Sequence, residues 1–248
     1  MGEGVAVTLK HDGHKMLIYT KDYGLSPHLA LFGEWERAIE EVVKRLLPEK
    51  STAIEVGSKM GYHTLSMAAK IGTEGTLYCF EANPEMFRLL NWTIELNGYK
   101  DRIQLKECAA LDKEGLVEFG YDPTAVGGGH VNAVNQPVML QVKTVTLDSL
   151  DIQGPVAMIR IDAEGAEPLI IKGAKDIIRR SDDIKLICEW SIDMMKQNID
   201  VTEYVNSLNS MGFKFWRINH DSNLISVPPS EMIALPHCEI VMCRRALT

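Results

Sequence analysis

Two acids and two glycines in this chain have the types and spacing that hold a nucleoside. Residues 52–65 read TAIEVGSKMGYHTL. A short apolar run ends at Glu55-Val56, turns at Gly57, and meets Gly61 at the mouth of a helical stretch. A glycine in such a turn lets backbone and ligand lie close together. The free N–H groups of the helix that follows favour electron-rich ligand atoms. The next apolar run, TLYCFE, closes on Glu81, 24 residues after Gly57. From about this place an acid takes ribose hydroxyls in nucleotide-binding α/β folds; taken alone, Glu81 reads equally as a solvated acid after a strand. The middle glycine of G-x-G-x-x-G, which makes room for a pyrophosphate, is missing, and Glu55 makes phosphate a poor guest. A nucleoside with a cationic end fits better. S-adenosylmethionine, with its ribose, adenine, ammonium and sulfonium, is such a molecule.

A hydroxyl that attacks an activated methyl group must lose its proton, so a base within hydrogen-bond reach helps. Asp162, Glu164 and Glu167 crowd the end of a fourth apolar run. Crowding of this kind raises the pKa of one member and leaves a base near neutrality. The same residues have a plainer use: Asp162 can bind an amino group, and Glu164 and Glu167 can cap the following helix. His63 is a further candidate base, with a suited ordinary pKa, or else a helix cap or a solvent-facing residue. His130, in the GGGH stretch, could reach an acceptor if that stretch is a lid, although a lone loop histidine more often has no special role. Trp190 and Ser191 are expected in the acceptor-pocket wall, with Trp190 alternatively plain core. Trp35 and the N-terminal segment are expected to cover the cofactor or to mediate dimer contacts. A divalent metal is the other way to activate a hydroxyl, but it needs several converging oxygens. Beyond Asp162 and Glu164 no ligand is identifiable, so no metal site is expected and chelation should leave activity intact.

These residues need a scaffold of alternating elements. VAVTLK and KMLIYT flank HDGH, where Asp12-Gly13 is a strong hairpin signal. Residues 34–47 carry one apolar stripe at helical spacing, stopped by Pro48. Strands are then expected at 53–56, 76–80, 103–108, 156–161, 184–190, 213–219 and 239–244. Helices are expected at 62–71, 85–97, 167–180 and 201–211. Strands alternating with helices imply a doubly wound, mostly parallel seven-stranded sheet in an α/β fold. Only a loop joins the last two strands, so the last is expected to be reversed. Residues 116–145 interrupt the rhythm with two strand-like pieces and the glycines of residues 127–129, as a lid or a simple excursion. Residues 1–33 are expected to form a β-hairpin extension and 34–248 the cofactor-binding domain.

Apolar residues make up 46% of 248, enough for a substantial core, and the formal charge is −8. That charge, with no large Lys/Arg cluster, disfavours a nucleic-acid partner. No apolar run suits a membrane span, and no secretory pattern is present. Five scattered cysteines without a C-x-x-C pair suit a reduced compartment, so a cytoplasmic protein is the default.

The segments TAIEVGSKMGYHTL, TLYCFEANPEMFRLLNWTIELNG, CAALDKEG, VTLDSL and IRIDAEGAEPLIIKGA, in this order and spacing, resemble FkbM-type methyltransferases over about residues 35–190. The resemblance implies a class I methyltransferase fold using S-adenosyl-L-methionine to methylate a hydroxyl oxygen of a sugar, natural-product or other small-molecule acceptor. It assigns Glu55, Gly57 and Gly61, with the adjoining Tyr62, to the methionine and ribose side. Glu81 takes the ribose hydroxyls, Ala82 and Asn83 border the adenine, and Ala109 and Ala110 line its pocket. Asp162 stands beside the methyl group, which makes Asp162, Glu164 and His63 the catalytic candidates. The family's first loop commonly begins with Asp and reads Gly-Ala-Asn; here Glu55 and Gly57-Ser58-Lys59 stand instead, and Lys59 brings a cation near a cationic cofactor unless it turns outward. The fourth run lacks the Asn/Asp-Pro-Pro-aromatic cluster of base-methylating enzymes. A nitrogen or carboxylate acceptor, a cofactor-binding scaffold without catalysis, and a homo-oligomer are the alternatives left open.

Overall fold

A computed structural model describes residues 4–247; residues 1–3 and 248, the outermost ends of the two expected segments, lie outside the described residues. The Asp12-Gly13 turn joins β1 (Val5–Leu9) to β2 (Lys15–Tyr19) in an antiparallel hairpin. Two helices, α1 (Ser26–Phe32) and α2 (Arg37–Leu46), lead to β3 (Thr52–Val56), α3 (Tyr62–Ile71), β4 (Thr76–Glu81), α4 (Pro84–Leu96) and β5 (Ile103–Glu107). The interrupting region holds β6 (Ala109–Ala110), β7 (Gly115–Asp122), β8 (Ala125–Val131) and β9 (Val138–Val145). Alternation resumes with β10 (Met158–Ile161), α5 (Glu167–Lys172), α6 (Lys175–Arg180), β11 (Lys185–Trp190), α7 (Ile192–Met195) and α8 (Val201–Ser210). The chain closes with β12 (Lys214–Ile218), β13 (Leu224–Val227) and β14 (Cys238–Cys243).

The main sheet runs β13-β12-β14-β11-β10-β3-β4-β5. Its centre, from β11 to β5, is parallel. β14 enters reversed between β11 and β12. Because β3, β10 and β11 are buried on both faces, alternate residues serve opposite helical layers. Ile54 and Val56 pack with Ile170, Ile177 and Val205 on one side, while Ala53 packs with Val43, Met67 and Leu90 on the other. The chain leaves β3 toward β4 and β5, and later returns beside β3 as β10. Strand order therefore reverses between β3 and β10, where a crevice opens at their carboxyl ends.

To the seven expected strands the structure adds β13, a short edge strand pairing β12. The helix expected over 167–180 is two helices. Gly173 lies so close to the Leu111 carbonyl that an added Cβ would stand 2.0 Å from its oxygen. Asp148 then caps α6 by accepting the N–H groups of Asp176 and Ile177, each at 2.9 Å. The interrupting region is a second sheet, ordered β6-β9-β7-β8, with the GGGH glycines inside strand β8. The N-terminal hairpin is fixed to α4: Leu17 N–H donates to Thr93 Oγ1 at 3.1 Å, and Asn97 holds both backbone polar groups of Lys15. No disulfide joins the cysteines. Among the described residues no helix is long and apolar enough to cross a membrane.

Candidate active site

The β3–α3 turn meets β10 at backbone distance. Gly57 has φ +80°, and a Cβ there would lie 1.8 Å from the Asp162 carbonyl oxygen, so only glycine lets the two strand ends close up. Glu81 fastens this turn to the end of β4. Its Oε2 accepts the Lys59 N–H at 2.7 Å and its Oε1 the Asn83 N–H at 2.8 Å. Burial pushes the Glu81 carboxyl up to about 7. Asn83 caps α4 by accepting the Glu85 N–H at 3.0 Å. Over these strand ends lies a cleft lined by Gly57, Glu81, Asn83, Ala109, Ala110 and, from β8, His130 among others.

A second, smaller cavity adjoins the first and shares Gly57, Lys59 and Asp162 with it. Its wall is ionic. Arg160, opposite Glu55 in the β3–β10 register, is buried in the sheet. Its Nη2 lies 3.2 Å from both Glu36 Oε2 and Asp162 Oδ2, and its Nη1 3.8 Å from Glu55 Oε1. Lys59 Nζ stands 2.9 Å from Asp162 Oδ1 and 3.7 Å from Glu164 Oε1. Burial works against the charge on Asp162, but Lys59 and Arg160 outweigh it and hold this carboxyl below its ordinary range. Glu36 is likewise held at about 2 against burial, by the His63 hydrogen bond and Arg160. Burial and the Arg160 charge push His63 down to about 4, so its ring is neutral at pH 7. His63 Nε2 faces Glu36 Oε2 at 3.0 Å, which makes Nε2 the donor and Nδ1 the acceptor. Thr64 donates to Glu55 Oε2, while burial pushes the Glu55 carboxyl up. Besides Asp162 Oδ1, which has the Lys59 ammonium at 2.9 Å, four buried polar atoms around this cavity have no hydrogen-bond partner: Glu55 Oε1, Ser58 Oγ, His63 Nδ1 and Arg160 Nε.

The Methyltransferase FkbM domain model matches residues 55–215. The chain belongs to the FkbM methyltransferase family. The hexuronic acid methyltransferase AglP of Haloferax volcanii is 23% identical over 195 residues, 76% of each chain. Among solved structures, a putative rRNA-methylase from Clostridium thermocellum superposes with TM-score 0.51 at 10% identity, covering 82% of this chain and 90% of its own. A putative O-methyltransferase from Klebsiella pneumoniae gives TM-score 0.51 at 13% identity, covering 86% and 82%. The fold is that of class I methyltransferases, and the protein is an S-adenosylmethionine-dependent enzyme.

In this FkbM methyltransferase, Gly57, Glu81, Ala82, Asn83, Ala109, Ala110 and Asp162 all line the first cavity. Glu55 faces the second. Gly61 lines neither: it packs α3 on α4, where a Cβ would stand 2.7 Å from Leu90 Cδ1. Tyr62 borders the second cavity but spends its hydroxyl on Glu40, at 2.7 Å. His63 is also in the second cavity rather than beside an acceptor, and Glu164 is outside the lining of both. Glu167 serves its turn, accepting the N–H groups of Ala163 and Gly165 at 2.9 and 3.3 Å. Trp190 is core: its indole donates to the Met232 carbonyl at 3.1 Å and stacks on Tyr204. Trp35 lines the second cavity. His130 does face the first cavity, and its Nδ1 lies 3.0 Å from the Gly128 carbonyl. Arg160, Glu36 and Glu189 were not anticipated. A charge inside the apolar strand MIRI could have exposed Arg160, since a buried arginine needs acid partners. An acid near the end of β11 could have exposed Glu189, whose carboxyl is pushed up to about 9 by burial and by Asp162 and Glu164.

Proposed function

We propose that this enzyme methylates a hydroxyl oxygen of a sugar or other small-molecule acceptor, with the cofactor spanning both cavities. The observation that carries the placement is the set of unpartnered atoms in the second cavity. Ser58 Oγ and Arg160 Nε are donors; Glu55 Oε1 and His63 Nδ1 are acceptors. Buried polar groups are costly unless paired, and two donors beside two acceptors match an amino-acid end that carries both a carboxylate and an ammonium. The first cavity then takes the nucleoside. Glu81 accepts the ribose hydroxyls, Ala82 and Asn83 border the base, and Ala109 and Ala110 form its apolar wall. When bound, S-adenosylmethionine supplies a methyl group already activated by its sulfonium.

The chain's own work is alignment and the exclusion of water. Of the three candidate bases, His63 is turned to Glu36, Asp162 is held by two cations, and Glu164 stands outside the cavity lining. His130 is better placed. The Gly128 carbonyl fixes its proton on Nδ1 and leaves Nε2 to accept the hydroxyl proton. A sugar acceptor is supported by the hexuronic acid methyltransferase relative.

Calorimetry with S-adenosylhomocysteine and 5′-methylthioadenosine tests the placement. The first should bind more tightly, and Ser58→Ala should narrow the gap. Equal affinities would put the amino-acid end elsewhere, and no binding of either would refute the cofactor site. Labelled methyl transfer to a panel of hexoses and hexuronic acids tests the acceptor. An alkali-stable methyl ether is the expected product, whereas an alkali-labile ester or an N-methyl product would refute hydroxyl methylation.

A further inference from the structure

The floor and the roof of the first cavity are built differently. The floor is the set of strand ends, where Gly57 and Asp162 meet at backbone distance. The roof is β8, the edge strand of the second sheet, which pairs with β7 alone. Asp122 pairs with Ala125, and Gly120 with His130. Between these pairs β7 advances two residues and β8 five, so residues 126–129 bulge out of the ladder as an arch. Val126, Gly127 and Gly129 of this arch line the cavity. Val126 is buried in the apolar cluster that holds Leu25, Met60 and Met86, and close to it the Tyr23 N–H donates to the Thr124 carbonyl at 2.8 Å. Packing requires Gly129, since a Cβ there would stand 2.7 Å from Phe119 Cζ. Nothing comparable requires Gly127 or Gly128. Neither has a positive φ. A Cβ on Gly127 would meet nothing within 4 Å, and one on Gly128 only the Ala125 carbonyl oxygen at 3.9 Å. Adjacent glycines that the observed conformation does not need cost conformational entropy on folding. A second conformation of the arch, open to glycine and disfavoured by alanine, gives them a use.

We propose that residues 126–129 are a gate that opens for cofactor exchange by pivoting on Gly127 and Gly128, and whose closure positions His130. Opening withdraws Val126 from its cluster, while the paired residues on either side of the arch keep the register of the strand. Closure brings the Gly128 carbonyl to 3.0 Å from His130 Nδ1. That contact fixes the ring proton on Nδ1 and leaves Nε2 free to accept. Gly128 is therefore a positioning residue: the base is set only when the roof is shut, and the shut roof also keeps water from the reacting atoms. The floor cannot take this part, because the Gly57–Asp162 contact leaves no slack between its strand ends. That the gate covers a nucleoside, and that His130 is the base, rest on the function proposed above; the two conformations of the arch do not.

Stopped-flow mixing of the full chain with S-adenosylhomocysteine, followed by tryptophan fluorescence, tests the gate; Trp35 lines the neighbouring cavity. The Gly127→Ala/Gly128→Ala double variant should melt no lower than wild type, because both methyl groups fit the closed arch. It should nevertheless bind and release the ligand about tenfold more slowly, with little change in Kd. Val126→Ala, which loosens the buried end of the arch, should release it faster. Rates within about twofold of wild type in both variants would overturn the gate. Histidine ¹⁵N spectra at pH 8, assigned with His130→Gln, test the positioning. The His130 ring should be the Nδ1–H tautomer in the complex, and an Nε2–H ring would overturn that part. Hydrogen–deuterium exchange of the free protein needs no ligand. After correction for intrinsic rates, exchange across residues 124–131 should be slower in the double variant than in wild type. That result without any S-adenosylhomocysteine binding would refute the cofactor site and leave the mobile arch standing; exchange that is not slowed would overturn the gate.

Discussion

Replacing Glu81 with glutamine should weaken cofactor binding and also remove its dependence on pH near neutrality. Burial lifts the Glu81 carboxyl to about 7 in the free protein, opposed only in part by the Asn83 and Lys59 N–H groups and the Lys59 charge. Ribose hydroxyls donating to the ionised carboxylate would hold it ionised in the complex. Below pH 7 the free protein must therefore give up a proton to bind. With a pKa of about 7, roughly one-eleventh of the carboxyl is ionised at pH 6 and roughly ten-elevenths at pH 8, so wild-type affinity should rise about tenfold across that range. Glutamine keeps one acceptor oxygen but turns an NH₂ group toward a backbone N–H. The loss of a charged hydrogen-bond partner costs about 1–3 kcal/mol, or roughly 5- to 150-fold in affinity at pH 8. Calorimetric titration with S-adenosylhomocysteine at pH 6, 7 and 8, in buffers of different ionisation enthalpy, reads both the affinity and the proton released. The linkage also fixes a sign for stability. A carboxyl whose folded pKa is raised contributes stability that is full below its unfolded pKa of about 4.5 and is lost as pH rises through about 7. The cofactor-free wild type should lose thermal stability across that window more steeply than Glu81→Gln. A variant that binds as tightly as wild type at pH 8, or keeps the wild-type pH slope, would refute this account of Glu81.

Gly57→Ala should abolish S-adenosylhomocysteine binding and lower stability by at least about 1–3 kcal/mol, because its Cβ would stand 1.8 Å from the Asp162 oxygen at φ +80°; calorimetry and thermal denaturation check the two effects. Gly173→Ala should cost a similar amount through the Leu111 carbonyl, but cofactor affinity measured on the folded variant should stay near wild type. Glu40→Gln should be the most destabilising, by about 3–5 kcal/mol in urea denaturation. It leaves the buried Lys10 with Asp12 as its one remaining carboxylate and loosens a cluster that also holds Tyr62, Ser66 and His11.

The main sheet was legible because its strands are short apolar runs separated by helical stripes, a pattern fixed by burial on both faces. What escaped was set by contacts distant in sequence. The 224–227 strand is a mostly exposed edge strand in a proline-bounded stretch, so it carries no run of buried residues to announce it. The break at Gly173 looks in sequence like any glycine within a helix. It is decided by the Leu111 carbonyl against Gly173 and by the Asp148 cap on the second helix. The residues 127–130 read as a loop because glycines have little strand preference, yet pairing of Phe119 with Val131 and Gly120 with His130 draws them into a sheet.

The site divides along the same line. Glu55, Gly57, Glu81 and Asp162 were legible because each stands at a strand end, where an α/β sheet presents its ligand-facing atoms. Glu36 was not. Its contact with Arg160 spans 124 positions and depends on a left-handed backbone at φ 48° that no local signal predicts for glutamate. That contact changes the electrostatics of the second cavity. Lys59 and Arg160 face Glu36 and Asp162, both held in the ionised form, so these four charges cancel. Glu55 is the fifth charge, and burial raises its carboxyl. In the free protein an ionised Glu55 has only the Arg160 guanidinium, at 3.8 Å and shared with Glu36 and Asp162; an incoming ammonium would add to it. The free Oε1 of Glu55 is therefore where a cationic ligand gains most, while a neutral nucleoside leaves that oxygen unpaired. On the proposed placement of the cofactor, the acid at the end of β3 should favour the amino-acid end over the truncated analogue, which loop spacing alone did not imply.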